Sequence, residues 1–210
     1  MFLNLGLLDN LKNLLESDDE TLLKEATYII SNITAGTVSQ INKVCKSNIL
    51  YKIMDIIKAR IGGSLNTFYE EYIILNSFFC ILNAISGGML EVKTHLMNYK
   101  INILDLLMVG LIYYDKKPNS YNVIKDILTT MKQFIWYEEE MLVGNSISEK
   151  FKKSQELIEV IENLSLSENQ TITNCAIELL DTIDKTNLNE VYNALQDNND
   201  VDMEYNEIAD

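Results

Sequence analysis

Proline, histidine and tryptophan each occur once in 210 residues, as Pro118, His95 and Trp136, and cysteine occurs three times. His95 has no second histidine and no acid four residues on, so a histidine-based metal or catalytic centre lacks its parts. Cys45, Cys80 and Cys175 are odd in number, widely spaced and set among apolar residues, which fits buried, reduced thiols and excludes a disulfide framework. Cations are also scarce: 17 Lys and Arg face 31 Asp and Glu, for a formal charge of −14. Without a basic footprint to neutralise phosphates, a general nucleic-acid binder is excluded, and basic partners are the natural ones. No apolar run reaches the roughly 18 residues of a membrane span, and the opening stretch lacks a signal peptide's apolar core, so no membrane partner is expected. Metal-ligand spacing, a nucleophile elbow and a Cys/His pairing are all missing, so neither enzyme activity nor a cofactor is expected.

What is present is apolar helical periodicity. Apolar residues make up 47% of the chain and charged ones 23%, enough to bury a core. Leu22, Ala26, Ile29, Ile30 and Ile33 recur at three and four, as do Ile49, Ile53, Ile56 and Ile57, then Ile101, Leu104, Leu107 and Met108. Gly36, Gly62, Gly63, Gly87, Gly88, Gly110 and Gly144 fall between or at the ends of such segments, the punctuation of an all-α protein. Half of the charge lies beyond Lys185, where Glu190, Asp197, Asp200, Asp202, Glu204, Glu207 and Asp210 meet no Lys or Arg, so residues 187–210 are expected to form an acidic, unfolded tail.

Compared with itself, the chain repeats. KEATYIISNITAG, ending at Gly36, aligns with LNSFFCILNAISG, ending at Gly87, placing Asn32 over Asn83, 51 residues apart. Each copy reads as a long helix ending in Asn-x-x-small-Gly, then a short helix (Val38 to Lys46; Leu90 to Tyr99), then an apolar helix (Ile49 to Lys58; Ile101 to Leu111). Residues 1–20 read as the end of a preceding unit, 21–61 and 62–115 as two repeats, and 116–186 as a divergent capping repeat with helices near Tyr121 to Glu138, Glu149 to Leu164 and Thr171 to Lys185. Such units bury a core only through their neighbours, which makes the expected fold a solenoid of three to four three-helix repeats, capped at its C-terminus and cut at its N-terminus.

KEATYIISNITAG resembles the eighth armadillo repeat of the importin-α family, and NSFFCILNAISGG resembles the repeat after it. The likeness runs from residue 5 to about residue 185, is strongest up to Leu111, and includes the acidic tail. It implies a right-handed armadillo superhelix and the function of a nuclear import adaptor, which binds Lys/Arg-rich nuclear localisation signals of cargo proteins and moves between cytoplasm and nucleus. In that family the long helices line a concave groove. Their asparagine amides hold an extended peptide's main chain, aromatic faces flank the lysine or arginine stems, and acids pair with the charged heads. Carried over residue by residue, the ladder falls on Asn32 and Asn83, the aromatic positions on Tyr28 and Phe79, the acid on Glu25, and its neighbouring serine on Ser31. The export receptor that recycles the family is a further expected partner. Importin-β is not, because the family's basic N-terminal segment has no counterpart here.

The departures are specific. Tyr28 and Phe79 stand where the family has tryptophan, and Asn76 stands where the second acid belongs. Thr130 occupies the expected third asparagine position, and Trp136 lies off the motif, so weaker peptide binding is expected. Plainer roles are core packing for the two aromatics and helix-end bracing for the two asparagines. His95 reads as a bystander, and Glu138 with its two acidic neighbours as a solvated helix end. A non-receptor armadillo scaffold, or a decayed fragment, is the alternative function.

Overall fold

The computed structural model describes residues 6–61, 63, 69–141 and 146–185. The acidic tail, Gly62, Ser64 and Gly144 lie outside them. Among the described residues there are eleven helices and no strand: α1 (Leu7–Leu14), α2 (Glu20–Thr34), α3 (Val38–Lys46), α4 (Ile49–Arg60), α5 (Glu70–Gly87), α6 (Leu90–Met97), α7 (Ile103–Asp115), α8 (Tyr121–Glu140), α9 (Ser146–Lys152), α10 (Gln155–Leu164) and α11 (residues 170–185).

Local chemistry sets many of these boundaries. Asp19 accepts the amides of Thr21 and Leu22 to start α2, and Thr37 with Gln40 closes a capping box on α3. Asn48 enters α4 in the left-handed region at φ 61, which asparagine tolerates better than most residues. The segment expected as one helix from Glu149 to Leu164 is two. The chain turns at Lys153, and Ser154 caps α10 through a bond from the Leu157 amide.

The helices stack as a solenoid. Long helices α2, α5 and α8 lie side by side in one layer, α1, α4, α7 and α10 form the other, and the short helices join them. Counted from each short helix, α3–α5, α6–α8 and α9–α11 are three units, preceded by α1 and α2. One apolar core runs through them, from Leu11 through Ile30, Ile53, Phe78, Leu107 and Phe134 to Ile183. Gly110 is required inside α7, because a Cβ there would come within 2.5 Å of the Phe78 ring. That ring meets Tyr114 edge to face at 5.5 Å.

Two polar residues of the sequence reading have structural posts. Glu138 is no solvated helix end. It is 3% exposed, and its carboxylate accepts the Ser146 amide at 2.9 Å, the Ile147 amide at 2.8 Å and the Ser146 hydroxyl, capping α9. His95 braces α6 against α4: Tyr51 is sandwiched between the His95 and Tyr99 rings, 4.2 and 4.1 Å away. The Tyr51 hydroxyl donates to the His95 carbonyl at 3.0 Å and lies 3.1 Å from Nδ1, so with that proton committed, Nδ1 is the protonated nitrogen and donates to the hydroxyl oxygen. Nε2 is buried without a partner, and burial lowers the imidazole's affinity for a proton.

Glu138→Ala leaves the Ser146 amide and the buried Ile147 amide without an acceptor and should cost about 2 kcal/mol in urea unfolding. For His95, the unfolded chain takes up a proton near the ordinary value of 6.5 while the folded chain resists it to lower pH, so stability falls as pH drops through that window. Urea midpoints measured between pH 7.5 and 5 should show this loss in the wild type and a shallower one in His95→Gln.

Candidate functional site

The long-helix face is what remains once the core is filled. On α2, Ala26, Thr27, Ile30, Ser31 and Thr34 point inward, which turns Glu25, Tyr28 and Asn32 outward along one stripe at intervals of three and four. Tyr28 is 53% exposed. The Glu25 carboxylate pairs with Lys24 at 2.8 Å. The Asn32 side chain is exposed and donates to the Tyr28 carbonyl at 3.1 Å. Ser31 is 7% exposed, and its hydroxyl also donates to that carbonyl, at 2.8 Å, so it supports the helix beneath the face.

On α5 the same stripe carries Asn76, Phe79 and Asn83, each half-buried. Phe79 packs on the core and lines a cleft of about 790 Å³ between α5 and α8, with Tyr72, Tyr113, Lys117 and Asn122 around it. Asn83 reaches back across the seam and donates to the Ser31 carbonyl at 3.1 Å. One turn earlier the Cys80 thiol, pushed well up by burial and therefore protonated, lies 3.3 Å from the Thr27 carbonyl as its donor. These two bonds tie α5 to the α2 backbone. The structure thus brings the two asparagines to adjoining helices, and ties Asn83 to the neighbouring helix where its sequence context had suggested bracing of its own helix end.

The third unit differs from the sequence reading. Thr130 is buried and is not the ladder position. The buried series Ile73, Ile74, Ser77, Phe78, Ile81 and Ile85 of α5 recurs 50 residues later as Val123, Ile124, Ile127, Leu128, Met131 and Ile135 of α8. That register sets Asp126, Thr129 and Gln133 beside Asn76, Phe79 and Asn83. Gln133 is the amide of the third rung, its side-chain oxygen buried without a partner, and Asp126 pairs with Lys125 at 3.1 Å. The signal was in the sequence: Asp126-x-x-Thr129-x-x-x-Gln133 repeats the spacing of Glu25, Tyr28 and Asn32. Trp136, 47% exposed on α8, carries Lys132 over its ring at 4.9 Å.

This face offers side-chain amides, which both donate and accept, interleaved with aromatic surface and carboxylates. That set suits an extended main chain with cationic side chains. Among the described residues no group of three His, Cys, Asp or Glu side chains is gathered around a metal-sized site, and no helix is long and apolar enough to cross a membrane.

The chain is similar to a designed armadillo repeat protein, YIII(Dq)4CqI, with a TM-score of 0.57 and 23% identity over 85% of this chain and 65% of that one. It is also similar to the designed armadillo repeat protein YIII(Dq.V1)4CPAF in complex with peptide (KR)4, with a TM-score of 0.58 and 21% identity over 85% of this chain and 64% of that one. It therefore spans just under two thirds of the length of either. No protein-family model matches the sequence, and no curated protein matches it. The fold is an all-helical armadillo-repeat solenoid.

The brace is testable apart from any ligand. Asn83→Ala removes a half-buried bond between helices and should lower stability by about 1 kcal/mol in urea unfolding, whereas Asn32→Ala, exposed and bonded within its own helix, should change it by less than about 0.5 kcal/mol.

Proposed function

We propose that this chain is a peptide-binding adaptor that takes Lys/Arg-rich extended segments of other proteins along its long-helix face, as importin-α-like receptors take nuclear localisation signals, and that it carries such cargo from cytoplasm to nucleus without catalysing a reaction. The observation that carries the proposal is the triplet of acid or amide, aromatic or threonine, and amide, repeated at the same spacing on three neighbouring helices as Glu25-Tyr28-Asn32, Asn76-Phe79-Asn83 and Asp126-Thr129-Gln133. A designed protein of the same fold was solved in complex with the alternating basic peptide (KR)4, the ligand class proposed here. The exposed Tyr28 ring and the Glu25 carboxylate would take the stem and head of one lysine, while the Asn32 oxygen would accept a peptide amide.

The bond from Asn83 to the Ser31 carbonyl favours a second reading, an armadillo scaffold whose asparagines only fix the packing of repeats. The experiment that separates the two avoids Asn83, since its loss also weakens the tie between α2 and α5. A fluorescent (Lys-Arg)4 peptide is titrated against wild type, Tyr28→Ala and Asn32→Ala at low and physiological salt. The adaptor reading expects binding that weakens about three- to tenfold in each variant and falls with salt. Absence of binding at low salt, or equal affinity in all three proteins, rejects it.

A further inference from the structure

Four times among the described residues a lysine ammonium lies over an aromatic ring and pairs with a carboxylate at once. Three of the four sit at seams that a long helix forms with a neighbouring helix. Between α2 and α5, Lys24 lies 5.1 Å from the Tyr69 ring centroid and 2.8 Å from the Glu25 carboxylate. Between α5 and the end of α7, Lys117 lies 5.0 Å from the Tyr113 centroid and pairs with Glu71, at the wall of the cleft that Phe79 lines. Between α8 and α11, Lys132 lies 4.9 Å from the Trp136 centroid and pairs with Glu178. The fourth, Lys100 with Tyr99 and Asp55, belongs to the opposite layer.

An aromatic face beside a carboxylate is a site for an ammonium or guanidinium group: the ring's quadrupole attracts a weakly hydrated cation and the acid fixes its position. We infer that these three seams are cation-binding slots for the lysine and arginine side chains of a ligand, and that Lys24, Lys117 and Lys132 are built-in competitors which such a ligand must displace. This rests on the groove reading above and adds its regulation. Hydrogen bonds donated to Glu25 and Glu71 raise the proton affinity of Lys24 and Lys117, so both competitors stay charged throughout the neutral range. The slots differ in how far their lysines are withdrawn from water. The Lys132 side chain is 15% exposed and that of Lys117 35%, so the α8–α11 slot is the harder to vacate.

A tethered lysine competes without having to bind from solution, yet each exposed slot holds it weakly. A ligand that engages three slots together overcomes the competitors, and a single basic residue does not. The face would therefore discriminate by the number and spacing of basic residues in the ligand.

The test uses the fluorescent (Lys-Arg)4 peptide and four proteins: wild type, the triple variant Lys24→Gln/Lys117→Gln/Lys132→Gln, the corresponding triple Arg variant, and a charge-matched control in which the exposed Lys46, Lys58 and Lys153 become Gln. Circular dichroism melting checks that each is folded. The inference expects the slot variant to bind about tenfold more tightly than the control, and the Arg variant to stay within about twofold of wild type. Equal tightening in slot variant and control means net charge alone acts, and weaker binding by the slot variant makes the lysines ties of the fold. Either result overturns the inference while leaving the groove reading in place. Binding by none of the four proteins overturns both.

Discussion

Everything in this molecule depends on the burial of one long helix against the next. No helix here covers its own apolar stripe, so α2 needs α5, and α5 needs α8, before either is stable. At the α2–α5 seam the side chains are small or branched, with Ala26 and Thr27 on one side and Ser77 and Cys80 on the other, all 0% exposed, which allows close approach and lets Cys80 and Asn83 reach the neighbouring backbone. The outward stripe is a by-product of that inward set. Tyr28 and Asn32 face solvent because Thr27, Ile30 and Ser31 do not, and the same geometry is copied 51 and then about 50 residues later. A substitution that shifted the core register by one position would turn the whole candidate face away from its ligand.

The same economy creates a conflict at Asn83. An amide has two N–H donors and one oxygen, and committing a donor to the Ser31 carbonyl leaves less for a peptide. The bond also holds the carbonyl oxygen of Asn83 in a defined direction, so the loss in donors is accompanied by a gain in preorganisation. Charge is arranged with similar restraint. The sequence carries −14 overall, yet the acids along the long-helix face, Glu25, Glu71, Asp126 and Glu178, each meet a lysine. The surplus negative charge lies elsewhere, half of it beyond Lys185.

Much of the fold was legible in the sequence because armadillo-type packing leaves local marks: three-and-four periodicity, a glycine at the close of two long helices, and a repeated Asn-x-x-small-Gly. Glu25, Tyr28 and Asn32 could be placed on one face from spacing alone. Three features were not legible, each for a physical reason. Glu138 reads as the first of three acids, and its partners lie eight and nine residues on, in the next helix. The break between α9 and α10 carries no glycine or proline, only the capping Ser154. The third rung was misplaced at Thr130 because α8 keeps the spacing of the motif but replaces Phe79 by Thr129 and Asn83 by Gln133, so identity-based alignment slid past the register that burial fixes.

The two side-chain ties between α2 and α5 also have a mechanical meaning. A solenoid is a spring, and its pitch is set separately at each joint. Where Cys80 and Asn83 clasp the adjacent backbone, opening the joint breaks two bonds as well as an apolar contact. One joint further on, the corresponding amide Gln133 holds a buried oxygen that is bonded to nothing. Stretching or twisting of the molecule is thus resisted more strongly at the first joint than at the second, and changes in its curvature concentrate around the cleft between α5 and α8.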